Sequence, residues 1–184
     1  MKKALLTAGL AGLAIAAISS QAIAVTHTIG LSATVPTSCS VSTPPTATGA
    51  GFSSITAIAS NFAATITGAT AVASNGTLTF SAVSCNGGPI KVTLNPMGTA
   101  LVTGGSAGPN QTNRIDYTAE AKLNGLQQVA MLNTTTSPLN LVSGNSGAAS
   151  GSIELKISIL PTAGGTTLVA GNYVGTLKVD FDPN

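Results

Sequence analysis

Few residues in this chain have the types and spacing that chemistry needs. There is one histidine, His27, and there are two cysteines, Cys39 and Cys85. A Ser/His/Asp or Cys/His arrangement would have to use His27. That residue sits on a terminal stretch, where the preorganisation needed for catalysis is hard to achieve, and it reads as an exposed or groove-rim side chain. Asp180 and Asp182 stand two apart on one strand face. Calcium takes six or more oxygen ligands and no loop nearby supplies the rest, so the pair reads as a solvated face. Asp116 and Glu120 share a strand face with Lys122, and cross-strand pairing accounts for them without an acid–base role. Gly87-Gly88 belongs to a turn, not to a phosphate-cradling loop. A metal site would want further Cys or His at short spacing. The expectation is a chain that is not an enzyme and holds no metal or cofactor.

The cysteines gain meaning from the start of the chain. Lys2 and Lys3 make a positive end, residues 5–18 are an almost unbroken apolar run, and Ala22-Ile23-Ala24 is a small-x-small cleavage site. This is the pattern of a secretory signal peptide over residues 1–24, with Val25 as the first mature residue. The run is shorter than the roughly 20 apolar residues of a membrane span, so no membrane insertion of the mature chain is expected. In a secreted chain an even pair of cysteines reads as a disulfide. Closing the loop from Cys39 to Cys85 would contribute about 4 kcal/mol.

Charge is scarce, at 7% of the residues against about 25% in an ordinary domain. Without Lys2 and Lys3, five basic residues (Lys91, Arg114, Lys122, Lys156, Lys178) face five acidic ones (Asp116, Glu120, Glu154, Asp180, Asp182), a net charge of zero. No basic footprint for nucleic acid or anionic lipid exists. A neutral surface rich in Thr, Ser, Asn and Gly repels copies of itself weakly. That is a liability in a soluble monomer and tolerable in a subunit that packs against its own kind.

The elements available to position these residues are strands. The stretch VTHTIGLSATV, residues 25–35, puts Ile29, Leu31, Ala33 and Val35 on one face and Thr28, Gly30, Ser32 and Thr34 on the other, and it stops at Pro36. Such a strand can pair with its own body or with another subunit. Residues 52–73 are the least readable and suggest short strands and loops. Leu78, Phe80 and Ala82 alternate with polar residues up to Cys85. Asn86-Gly87-Gly88-Pro89 turns, and Ile90, Val92 and Leu94 follow, which predicts a hairpin. Residues 98–113 read as loop. Residues 114–123 alternate again, Asn124-Gly125 signals a hairpin turn, and Leu126–Leu132 is the return strand. Residues 137–150 read as loop or weak strand. Ile153, Leu155, Ile157 and Ile159 face inward on the next strand. The last strand is expected over 173–181, with Tyr173, Gly175, Leu177, Val179 and Phe181 on one face. About seven or eight period-two segments without a long amphipathic helix argue for an all-β, immunoglobulin-like antiparallel sandwich in a single domain.

Four features together resemble a pilus (fimbrial) subunit of the chaperone–usher type. They are the leader, the alternating N-terminal extension, a Cys shortly after it matched by a Cys ending TLTFSAVSC, and the closing AGNYVGTLKVDF. SATVPTSCSVS with GTLTFSAVSC is similar to the archaic, spore-coat-protein-U-like branch. PTAGGTTLVAGNYVGTLKVDF is similar to class 5 fimbrial subunits, whose major pilins generally lack this disulfide. The best-known branch has a penultimate Tyr and an inward Gly in its extension. This chain ends Asp182-Pro183-Asn184, and its smallest inward extension residue is Ala33.

The resemblance implies an incomplete immunoglobulin-like sandwich over residues 37–184, completed by a donor strand from a neighbouring subunit. Residues 25–36 would be that extension, inserting Ile29, Leu31, Ala33 and Val35 into a groove walled by Leu177, Val179 and Phe181. Strand addition of this kind is a known recognition mode. Burying Ile29, Leu31 and Val35, with a smaller part from Ala33, would contribute about 5–10 kcal/mol. The implied partners are identical subunits, a periplasmic chaperone that covers the exposed edge and an outer-membrane usher. The implied function is a structural subunit of an adhesive surface fibre, exported through the periplasm and supporting attachment and biofilm formation. The alternative is a secreted carbohydrate-binding module or tip adhesin. Sugar sites favour aromatic platforms, and here there is no Trp and only two Tyr, both expected on inward faces.

Overall fold

The computed structural model describes residues 32–41, 43–55, 60–98, 100–136 and 140–184. The chain divides into two units, Met1–Thr34 and Val35–Asn184. Of the first unit, residues 32–34 are described; they are exposed and belong to no strand. The expected leader, His27, and Ile29 and Leu31 of the expected extension lie outside the described residues.

Among the described residues the second unit is all-β, without a helix. In chain order the strands begin with β1 (Cys39–Val41), β2 (Thr46–Gly49), β3 (Phe52–Ile55), β4 (Ser60–Phe62), β5 (Ile66–Thr67) and β6 (Thr70–Ala71). There follow β7 (Ser74–Cys85), β8 (Ile90–Pro96), β9 (Leu101–Val102), β10 (Gln111–Thr112), β11 (Arg114–Ile115) and β12 (Tyr117–Leu123). The chain closes with β13 (Gln127–Asn133), β14 (Val142–Asn145), β15 (Ser150–Ile159), β16 (Thr167–Leu168) and β17 (Leu177–Pro183). One sheet runs β1-β7-β15-β12-β13, with β2 also on β7; a second runs β14-β8-β17. Both contribute to one hydrophobic core, an arrangement consistent with a β-sandwich.

The alternation read in residues 114–123 and 152–160 explains the middle of the larger sheet. Tyr117, Ala119, Ala121 and Leu123 are buried and lie in register with Ile159, Ile157, Leu155 and Ile153 of β15. On the other face Glu120 is opposite Lys156 and Lys122 opposite Glu154. Opposite charges across a ladder support that register, and a slip by one residue would exchange core for surface. At the Asn124-Gly125 turn both residues have positive φ (51° and 70°), and the Leu126 N–H donates to the Leu123 carbonyl at 3.1 Å. Asn-Gly is favoured there because a two-residue turn of the matching twist needs that conformation twice.

The hairpin expected across Asn86–Pro89 does not form. β7 pairs with β1, β2 and β15, while β8 pairs with β14 and β17, so the turn carries the chain from one sheet to the other. Two strongly apolar faces thereby bury each other across the core. Ala82 also departs from its expected inward position. It is exposed, with φ 51°, and the register with β15 jumps from Phe80↔Ile153 to Val83↔Gly151. Two residues of β7, Ser81 and Ala82, oppose Ser152 alone. This β-bulge shifts the phase by one, so Val83 and Cys85 point inward after Phe80.

The last strand begins at Leu177, later than expected; residues 173–176 before it hold only a bridge between Val174 and Val102. Residues 52–73 form the short strands β3 to β6, as their broken pattern suggested. The loop expected over 98–113 contains β9 and β10, and β14 lies within residues 137–150.

Candidate functional site: an apolar groove beside the last strand

Among the described residues β17 pairs on one side only, with β8. Leu177, Val179 and Phe181 stand opposite Pro96, Leu94 and Val92 and point the same way, into the sandwich. Their β8 partners Leu94 and Val92 are fully buried, at 0% exposure, whereas the three β17 residues are only half-buried. The difference comes from the neighbour each lacks. β8 is a central strand, and among the described residues β17 is an edge with no strand paired outside it.

Beside that edge lies a groove of about 700 Å³. Its floor is the inner face of the larger sheet, with Leu78, Phe80, Leu155 and Ile157. One wall is Leu177, Val179 and Phe181; the opposite rim is Val41, Pro45, Phe52 and Phe62. Phe52 and Phe62 pack edge to face at 4.9 Å between centroids, held in place by the β3–β4 pairing. Phe80 and Phe181 meet in the same manner across the core at 5.1 Å. Burial pushes the Tyr117 hydroxyl in the groove lining above its ordinary pKa, so it stays neutral. Among the described residues lining the groove Lys178 is the one charged residue, and its ammonium pairs with Asp180 at 2.9 Å. Such a lining suits an apolar, strand-shaped occupant and disfavours a charged one.

The end of the groove near Pro183 is also where the N-terminal stretch joins the body. Cys39 and Cys85 form a disulfide and lie directly opposite each other in the β1–β7 ladder. Beyond that bond, Thr37 and Pro183 both lie against Gly87, and the Asn184 N–H donates to the Pro89 carbonyl at 2.9 Å. Of the expected extension, Ala33 and Val35 are described, and both are exposed, Val35 to 74%.

Asp116 and Glu120 are each held by neighbouring side chains, and His27 lies outside the described residues. Asp116 accepts from Arg114 Nε at 2.8 Å and lies 2.8 Å from the Thr134 hydroxyl; Arg114 also donates to the Thr134 carbonyl. Glu120 pairs with Lys122 at 3.3 Å. No group of three His, Cys, Asp or Glu side chains able to hold a metal ion occurs among the described residues, and no described helix is long and apolar enough to cross a membrane. Every aromatic ring is at least half-buried, and the Tyr173 hydroxyl donates to the Val169 carbonyl at 2.8 Å.

Leu177, Val179 and Phe181 were legible as one face of a strand. Phe52 and Phe62 were not, because no alternation surrounds them. Comparison of the chain with protein-family models, with curated proteins and with solved structures finds no match.

Proposed function

We propose that this chain is a structural subunit of a chaperone–usher pilus, an incomplete immunoglobulin-like sandwich whose groove beside β17 receives residues 25–35 of a neighbouring copy. The observation that carries this reading is the edge of β17, unpaired among the described residues, over a groove whose inward residues are half-covered. A strand laid there would pair the free backbone groups and place alternate side chains on Phe80, Ile157, Val179 and Phe181. Ile29, Leu31, Ala33 and Val35 have the required alternation and no charge.

The position of the exit supports a head-to-tail fibre. The chain joins the body at the Pro183 end of β17. If each copy's exit faces the Leu177 end of the next, the donor enters there with Val35 and reaches Val25 near Pro183. It then runs antiparallel to β17. The exposed edge calls for a periplasmic chaperone before assembly and an outer-membrane usher during it. The fibre at the cell surface would serve attachment and biofilm formation.

Electron microscopy of the purified chain tests the reading. Long unbranched fibres with a subunit-scale repeat are expected. A chain that remains monomeric, cooperative and stable without any partner would overturn it.

A further inference from the structure

We propose that Asn86 is a positioning residue: it clamps the root of the N-terminal extension and so sets the angle between successive subunits of the fibre. The inference rests on the donor-strand reading above and names the part of the body that aims the donor. The last backbone pair of the β1–β7 ladder is Cys39 with Cys85. Past it, Asn86 continues the ladder. Its N–H donates to the Ser38 carbonyl at 3.0 Å. Its Oδ1 accepts from the Ser38 N–H at 2.7 Å, and its Nδ2 donates to the Pro36 carbonyl at 3.1 Å.

One side chain therefore replaces the two peptide groups that a continuing strand would have offered. Pro36 has no N–H of its own, so its carbonyl is the one backbone hydrogen-bonding group it can be held by. Gly87 adds a contact of shape: a Cβ there would lie 2.6 Å from Thr37 Cγ2, so Thr37 sits where only glycine leaves room. Pro36 fixes its own φ and biases Val35 towards extended backbone. The held segment thus reaches to Pro36, the residue directly after Val35. A donor strand anchored in one copy and clamped at its root in the next transmits orientation between them; a root free from Cys39 onward would not.

The test uses fibres of the full chain carrying Asn86→Ala, Asn86→Asp or Gly87→Ala, with the disulfide checked in each. Electron microscopy gives persistence length, and amide exchange gives the protection of residues 37 and 38. Asn86→Ala is expected to leave fibre yield and melting temperature unchanged. It should shorten the persistence length by about twofold or more and speed exchange at Ser38 by about tenfold or more. Asn86→Asp keeps the acceptor for Ser38 and loses the donor to Pro36, so it should fall between. Gly87→Ala displaces Thr37 and should soften the fibre independently of Asn86. Fibres of unchanged stiffness in Asn86→Ala, or unchanged exchange at Ser38, overturn the clamp and leave the donor-strand reading standing. A wild-type chain that makes no fibres overturns both.

Discussion

The two lateral seams of the sandwich are built from the same kind of strand and end in opposite states. On one side β13 comes against β14 so tightly that a Cβ on Gly144 would lie 1.7 Å from the Val129 carbonyl oxygen. Only glycine permits that approach. The inward residues nearby, Ala130 and Leu132, are 3% and 0% exposed. On the other side β1 nears β17 at the Cys85–Asp182 end without a ladder between them, and the groove lies alongside. The inward residues there, Leu177, Val179 and Phe181, alternate just as cleanly and remain half-covered. Alternation therefore assigns a residue to a face, while burial depends on whether a further strand lies alongside. Under the proposed reading the open seam is the one completed by another chain.

Closing the open seam from within should have the largest effect. Residues 25–35 deleted from the N-terminus and attached after Asn184 by a flexible linker would start beside Pro183 and run back antiparallel along β17. Binding becomes intramolecular, and the chain should gain about 5–10 kcal/mol. Sizing and thermal melting should find a heat-resistant monomer that forms no fibres; a melting temperature equal to wild type would count against the open seam as an acceptor.

Leu31→Asp attacks the same seam from the donor side. An unpaired carboxylate among apolar groove residues is costly, so polymerisation should stop while the body still folds with its chaperone. Ser32→Asp, on the opposite face, should be much milder. Equal damage in a polymerisation assay would show the alternation to be misassigned.

Cys39→Ser releases the edge of the open seam, because the disulfide ties β1 to β7. The loss should be about 4 kcal/mol, seen as a fall in periplasmic subunit yield and in fibre number. Thiol titration of the denatured, unreduced wild-type chain should find no free cysteine.

The smallest expected difference is the one between point changes on the two seams. Leu132→Ala on the closed side should cost about 2–5 kcal/mol in the isolated body. Val179→Ala on the open side should cost less there, about 1–2 kcal/mol, since that side chain is only partly buried, yet it should slow fibre assembly more than Leu132→Ala does at matched stability. Denaturant unfolding and assembly kinetics on both variants measure the contrast; equal costs in the isolated body would mean that the seams do not differ.

By itself the sequence determined the local pieces. Residues 117–123, 153–159 and 177–181 alternate, and a period of two assigns faces without knowledge of the partner strand. Asn124-Gly125 named its own turn, because positive φ at two successive positions is a local requirement. Cys39 and Cys85 left one pairing to make. Tertiary structure decided the rest. The turn at Asn86–Pro89 crosses between sheets because both β7 and β8 find their pairing partners far along the chain. The bulge at Ala82 is visible only once Ser152 is set against two residues. Phe52 and Phe62 form a rim through a pairing that no pattern announces. Asn86 reads as a turn residue until the chain at Pro36 and Ser38 is brought against it. Which seam closes and which stays open depends on long-range neighbours, and side-chain periodicity carries no information about them.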